Sequence, residues 1–316
     1  MKSLLKTLLF LIAGTAFAQP YPSKPIRVIV PFSPGGPVDV VMRLLSPKMT
    51  EMLGQPLVIE NKTGAGGNLG VQQAARAPAD GYTVLATSSS FAVNPALTPD
   101  AGYNPEKDFI AVAVVASQPN FIVVNAAFPA RTLAELLQMA RTQKLAFASP
   151  SSGTTPHLTA ENLFKVRAKV DITHVPFRGA GPAVAAVLGG EPPIGSMAGT
   201  APMPHLKSGK LRALAVSSSR RLASLPDVPT LNELGYPDME DYTWVGLFLP
   251  AGTPTAIAQK LNDAVIRTVQ SADIRERLEG LTFEPTAAAL RETADYVKSE
   301  LVKWAKVVRD TGAKAE

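Results

Sequence analysis

Chemistry in this chain gathers in short loops of Ser, Thr, Gly and Asn rather than in clusters of charge. The first is Phe32-Ser33-Pro34-Gly35-Gly36, between the apolar run of Ile26, Val28, Ile29 and Val30 and a segment holding Asp39, Val40, Val41, Leu44 and Leu45. The run predicts a strand buried on both faces, and the segment predicts a helix. A loop that enters a helix offers unpaired N–H groups and the positive end of a dipole, which suits a carboxylate or a phosphate. Three more loops repeat the pattern: NKTGAGGN at 61–68, TSSS at 87–90 and SPSSGTT at 149–155, the last just ahead of His157. In parallel sheets such loops converge at the carboxyl ends of the strands. Their donors are hydroxyls, Asn68 and backbone N–H groups. That supply fits a small carboxylate better than a polyphosphate, which also recruits Lys or Arg.

Other chemistries fit these residues less well. Gly64 and Gly66 are followed by Leu69 where a dinucleotide fingerprint needs glycine; Gly70 comes one place late and Asp80 too soon. No Gly-Lys-Ser/Thr follows any glycine loop. Ser151 and His157 allow a serine hydrolase as the alternative from another class, but no G-x-S-x-G elbow occurs and no Asp is evident as a third member. The reading preferred for His157 is a hydrogen bond to loop backbone that shapes the site. His174, within the apolar run 172–175, reads as a satisfied, half-buried residue. Arg178, in FRGAG at 177–181, reads equally as a partner for a second ligand carboxylate and as a solvated surface residue. Asp39 reads as a first-turn residue favoured by the helix dipole.

Composition narrows the classes further. The 316 residues contain no Cys, which removes disulfides and thiolate zinc sites. His157, His174 and His205 are the only histidines and lack metal-ligand spacing, so no metal and no cofactor is expected. Lys2 and Lys6, the apolar residues 8–13 and Ala16-Phe17-Ala18 form a secretory signal with cleavage after Ala18. Loss of Lys2 and Lys6 takes the net charge from +5 to +3. The remaining charges are scattered, with no basic run interleaved with aromatics, so nucleic acid is not an expected partner.

The elements that must carry these loops alternate strand and helix, which predicts an α/β fold with mainly parallel sheets. Strands are expected at 26–32, 57–60, 82–87, 109–116 and 121–124, then at 145–148, 172–175, 194–197, 211–216 and 244–249. Helices are expected from Leu133, Pro156, Gly181 and Met203, with Thr132 and Glu135 in a capping-box pattern. The stretch 217–241 is expected to cross the surface. Two helices close the chain, the first capped by Thr253 with Pro254 in its first position, the second with Leu290, Ala294, Val297, Leu301, Trp304 and Val308 on one stripe. The first of them has no following strand, so it needs an existing layer to cover its apolar face. The expected division is residues 19–124 with 245–316 as one domain and 125–244 as the other, with crossings near 121–125 and 244–249.

Motifs in order along the whole mature chain carry a family likeness. They are YPSKPIRVIVPFSPGG with Asp39, LGQPLVIENKTGAGGN, DGYTVL, NPAL, SSGTTPHL, HVPFRGAGPA, HLKSGKLRALAV, LPDVPTLNELG and PAGTP. The chain resembles the Bug, or TctC-like, extracytoplasmic solute receptors associated with tripartite tricarboxylate transporters. The resemblance implies two doubly wound α/β domains of the periplasmic binding protein type II-like class, with a ligand cleft between them. It implies a periplasmic, monomeric receptor for a small organic carboxylate, with membrane transporter subunits as partners and a sensing role as the variant reading. Carried over by position, the pocket comprises Phe32, Ser33, Pro34, Gly35, Gly36, Gly66, Gly67, Asn68, Ser88 and Ser89. Ser151, Gly153, Thr154, His157, Arg178, Gly179 and Thr200 face them. Many members carry Asp near the strand before HLKSGK; Ser196-Met197-Ala198-Gly199-Thr200 has none, which favours an uncharged or purely anionic ligand.

Overall fold

The computed structural model describes residues 21–98 and 100–314; the expected export signal lies outside them. Among the described residues ten strands run in chain order: β1 (Ile26–Val30), β2 (Leu57–Asn61), β3 (Thr83–Ser88), β4 (Phe109–Asn125), β5 (Leu145–Ser149), β6 (Ile172–Pro176), β7 (Ile194–Ala198), β8 (Leu211–Val216), β9 (Tyr242–Pro250) and β10 (Glu284–Pro285). The helices are α1 (Pro37–Leu53), α2 (Asn68–Ala75), α3 (Ser90–Leu97), α4 (Leu133–Ala140), α5 (Thr155–Glu161), α6 (Ala180–Gly189), α7 (Met203–Lys207), α8 (Thr255–Gln270), α9 (Ala272–Gly280) and α10 (Leu290–Thr311).

The strands follow the order β2-β1-β3-β9-β4-β7-β5-β6, with β8 and β10 also on β4. Pairs β1–β2, β1–β3, β5–β6 and β5–β7 are parallel. The centre departs from the expected parallel arrangement: β9 is antiparallel to β3 and β4, and β4 is antiparallel to β7 and β8. The two strand runs expected at 109–116 and 121–124 are one strand. Ser117, Gln118, Pro119 and Asn120 interrupt the apolar pattern without ending the ladder, because β9 pairs through Pro119 and β7 takes over at Asn120. Two α/β lobes therefore share one continuous strand.

Burial explains why these segments form strands. Ile26, Val28 and Val30 sit in one core cluster and Ile29 in another, all at zero exposure, as a strand covered on both faces requires. Fully burying each such side chain contributes about 1.5–3 kcal/mol. Helix α1 starts with Pro37 in its first position and stops at Gly54, whose left-handed φ of 71° lets its N–H reach Thr50 O. The capping-box pattern forms in a shifted way: Thr132 Oγ1 accepts from Glu135 N, while the Glu135 carboxylate accepts from Arg131 N, one residue before the cap, at 2.6 Å.

The C-terminal region differs from expectation in three ways. Helix α8 begins at Thr255 behind Pro254, because Thr253 Oγ1 donates back to Pro250 O at 2.7 Å and so does not cap. A third helix, α9, follows it; its short polar turn pattern hides the two residues it buries, Ile274 and Leu278. The connection 217–241 is partly core, with Leu231 and Met239 buried against the second lobe. Leu261 and Val265 of α8 join the same cluster as β1 and Val112, while Val297, Trp304 and Val308 of α10 pack with Phe91, Trp244 and Leu158. Leu158 belongs to α5, so α10 also braces the second lobe.

Candidate functional site

The loops at the strand ends approach one another from the two lobes at four places. Ser89 Oγ lies 3.0 Å from Thr155 Oγ1. Ser152 O would lie 3.5 Å from a side chain at Gly66, and Ser33 Oγ 4.0 Å from one at Gly179. Gly153 (φ 78°) passes so close to α3 that a Cβ there would run into Asn94 Oδ1 and stand 3.0 Å from Leu97 Cδ2. Only glycine permits both that backbone conformation and that approach.

Each loop is shaped by its own residues. In the first, Gly35 N donates to Asp39 Oδ2 at 2.9 Å and Gly36 N to Ser33 O at 3.3 Å. These two N–H groups are thus engaged within the loop instead of standing free for an anion. Asp39 is more than a first-turn residue. Arg43 and Asn61 also bond its carboxylate, and Asn61 holds Phe32 O at 2.9 Å. Those donors outweigh burial and keep the Asp39 carboxyl below its ordinary range. In the second loop the Phe32 ring covers Gly67. Asn94 Nδ2 donates to Asn68 Oδ1 at 2.7 Å and to Gly66 O at 3.1 Å. In the third, Ser88 accepts from Ser90 N at 3.3 Å.

On the facing lobe, Ser151 O accepts from Ser149 and Thr154. Thr154 caps α5, and Gly153 N donates to His157 Nδ1 at 3.3 Å. His157 therefore shapes the loop, as its sequence position implies, and with Nδ1 turned to Gly153 it is not set up as a base for Ser151. Its ring stacks on His174 (centroids 3.9 Å apart), and His174 Nε2 meets Ser149 Oγ at 2.7 Å. Burial pushes both imidazoles down, His157 to about 3 with help from His174 and Lys165, His174 to about 4 with help from Lys165. Both are neutral at physiological pH, so the loop presents no histidine cation. Ser152 Oγ is enclosed and has no partner.

Two further expected pocket residues are Thr200 and Arg178. Thr200 N and Oγ1 donate to Gln118 Oε1 at 2.8 and 2.7 Å, so its polar groups face the crossing strand. The Arg178 side chain is exposed, while the neighbouring Gly179 N is fixed on Pro150 O at 2.8 Å.

Sequence reasoning passed over Gln118, Thr243 and Asp241, and gave Asn94, Ser152 and Thr155 no role beyond membership of a loop or motif. Beneath Ser89, Thr155 Oγ1 meets Thr243 Oγ1 at 2.7 Å, and Thr243 donates to Asn120 Oδ1 at 2.8 Å. Asn120 Nδ2 then reaches Asp241 Oδ1 at 2.7 Å, which also accepts from Thr159. Desolvation raises the Asp241 carboxyl to about 6 against the pull of Lys303, Asn120, Thr159 and Ser217. The available signal was polar residues inside apolar strands. Two surface grooves, of about 380 Å³ beside Pro129 and Met139 and about 280 Å³ beside Ser217 and Asp238, lie outside this loop cluster.

The chain is similar to known proteins over most of its length. The family described as "Tripartite tricarboxylate transporter family receptor" matches residues 41–313. The protein BugT of Bordetella pertussis is 38% identical over 307 residues, covering 96% of this chain and 94% of its own. MatC of Rhodopseudomonas palustris with bound malate superposes with a TM-score of 0.86 at 35% identity, covering 91% of this chain and 100% of that one. Rpa4515 of R. palustris with adipate does so at 0.88 and 31% identity, covering 94% and 100%.

Proposed function

The chain belongs to the tripartite tricarboxylate transporter receptor family, and from that premise we propose that it captures a small organic carboxylate between its lobes. The observation that carries this reading is the closure of neutral loops onto one another, Gly66 against Ser152 and Ser89 against Thr155, with the Ser152 hydroxyl enclosed and unpartnered. A buried hydroxyl without a partner costs about 1–3 kcal/mol, which a ligand oxygen recovers. The relatives solved with malate and adipate support a carboxylate as that ligand. The pocket in this reading is Phe32 to Gly36, Gly66 to Asn68, Ser88 and Ser89 on one side, with Ser151 to Thr154, His157, Arg178 and Gly179 on the other.

The lobes in this reading are residues 19–124 with 245–316, and 125–244. They turn about the place where β4 changes partner at Asn120 and β9 begins at Tyr242. Rigid-body closure about two strands is how such a receptor reports occupancy to membrane subunits. Export to the periplasm after cleavage at Ala18 accompanies this role. Among the described residues, no helix is long and apolar enough to cross a membrane.

The test is calorimetry on purified protein with mono-, di- and tricarboxylates and their amides, with recovery of the ligand afterwards. The expected result is stoichiometric binding of an acid, loss of binding for its amide, and ligand returned unchanged. Turnover of the ligand, or binding of none of the acids, overturns the proposal.

A further inference from the structure

Asn94 is a buried residue of α3, a helix anchored in the core by Phe91 and Leu97. Its Nδ2 donates to Gly66 O at 3.1 Å and to Asn68 Oδ1 at 2.7 Å. A backbone carbonyl can only accept, so the Asn94 atom facing Gly66 is the nitrogen, and its amide cannot be turned over. The Asn68 atom facing that nitrogen is then the oxygen, since two N–H groups cannot bond one another. Asn94 therefore dictates the orientation of the Asn68 amide, with the oxygen towards α3 and the nitrogen turned away from it.

The Asn68 nitrogen carries two N–H donors, and among the described residues none accepts from it. Unlike Ser152 Oγ, it is not enclosed. Two backbone donors beside it are already engaged, Gly67 N on Gly64 O at 2.9 Å and Asn68 N on Ala65 O. What this loop holds ready is thus a side-chain amide. The facing lobe is close: a Cβ at Gly66 would stand 3.5 Å from Ser152 O and 3.8 Å from Asn94 Nδ2, and one at Gly153 would run into Asn94 Oδ1. Asn94 underlies the place where the two rims meet.

We infer that Asn94 is a positioning residue of the ligand site: by holding the Asn68 oxygen, it keeps the Asn68 Nδ2 donors turned to the cleft, where they bond the carboxylate. Asn94 itself does not touch the ligand. The inference rests on the carboxylate-receptor reading and adds how a neutral donor is kept facing an anion. An unrestrained asparagine amide presents its oxygen about as readily as its nitrogen, and an oxygen facing a carboxylate repels it. A donor fixed on a packed helix removes that wrong state before the ligand arrives, so less ordering is left for the binding step. Because Asn94 also holds Gly66 O, shaping of the loop alone is the competing account, and the experiment separates the two.

Calorimetry with butyrate, succinate, malate, adipate and citrate selects the acid that wild type binds most tightly. Its affinity is then measured for Asn94→Leu, Asn68→Ala and the double variant. Asn94→Leu keeps the size of the side chain without its donor and adds no charge. Each single variant is expected to lose tenfold or more. Asn94→Leu in the Asn68→Ala background is expected to lose less than threefold further, because the amide that Asn94 orients is gone. In wild type the Asn68 side-chain amide resonances are expected to shift on adding that acid, a reading that needs no variant to fold. A further loss of threefold or more in the Asn68→Ala background shows Asn94 acting through Gly66 and overturns the inference. Undiminished affinity in Asn94→Leu, or Asn68 amide resonances unmoved by the bound acid, overturns it as well, and each of these leaves the receptor reading standing. A wild type that binds none of the five acids overturns both.

Discussion

Acid should loosen the cleft loop through His157, and the size of the effect follows from its surroundings. The ring is 3% exposed, accepts from Gly153 N at Nδ1, stacks on His174 and faces Glu161 Oε1 from Nε2 at 4.0 Å. A proton on Nδ1 would set N–H against N–H at Gly153. The folded value is pushed down to about 3 from the ordinary 6.5, chiefly by burial. Between those values the unfolded chain holds a proton that the folded chain does not. Stability is therefore full above pH 6.5 and falls as the pH drops through the window. At pH 5, 1.5 units below the unfolded value, the loss from His157 is about 2 kcal/mol. His157→Gln keeps a neutral acceptor for Gly153 and cannot titrate. Urea unfolding at pH 7.5 and pH 5 should show the variant about 1–2 kcal/mol weaker at pH 7.5, from lost stacking, with its loss between the two pH values smaller by about 2 kcal/mol. An unchanged pH slope in the variant, or a His157 imidazole that titrates near 6.5 in the folded protein by NMR, would refute this reasoning.

The other perturbations act at the crossing strands and the loops. Asp241 has the opposite sign. Its carboxyl rises from 3.8 to about 6, so the folded chain holds the extra proton and stability falls as pH rises from about 4 through 6, by about 3 kcal/mol in all. Asp241→Asn keeps acceptor and donor for Asn120 and Thr159 and should be more stable than wild type at pH 7.5 by up to about 3 kcal/mol in urea titrations, with no gain at pH 4. Glu300 Oε2 accepts from the indole nitrogens of both Trp244 and Trp304 at 2.9 Å. Glu300→Ala should cost about 2–5 kcal/mol by leaving two buried donors unmet, and Glu300→Gln should recover more than half of it; equal losses in the two variants would count against this account. Gly153→Ala should lower ligand affinity at least tenfold in calorimetry, because the Cβ runs into Asn94 when the lobes close, while shifting stability by only about 1–2 kcal/mol.

How much of this was legible in sequence depended on whether a residue's neighbours were local. The strand under Phe32 was readable because Ile26 to Val30 is apolar on both faces, and both faces are covered. The role of His157 was readable because its partner, Gly153, is four residues away. Thr200 was placed on the cleft by position in a motif, but its donors go to Gln118, 82 residues earlier, which no local pattern announces. The same holds for Asn120 and Asp241, 121 residues apart. The single strand through 109–125 was misread as two because Pro119 and three polar residues resemble a turn. They are tolerated there because Ser117 to Pro119 still pair with β9 and Asn120 pairs with β7.

The polarity of that strand segment is also what joins the loops to the crossing. Thr243 gives its proton to Asn120 Oδ1, so it accepts from Thr155, which in turn accepts from Ser89. The chain of donors has one direction, from a loop of the first lobe, through the first residue of α5, to the buried Asp241. Such chains strengthen one another in a low-dielectric interior. Only one link, Ser89 to Thr155, spans the two rims, and breaking it to admit water loses about 0.5–1.5 kcal/mol net. An interdigitated apolar contact at the same place would resist opening over its whole area, since packed cores shift between discrete arrangements. Behind the crossing, Trp244 is held by Glu300 to α10, and Lys303 of the same helix reaches Glu240 O at 2.9 Å. The back of the β4–β9 crossing is thus fixed by bonds to one long helix, while at its front this chain of donors crosses between the rims through one exchangeable hydroxyl pair, an arrangement in which a ligand's contacts help decide whether the rims meet.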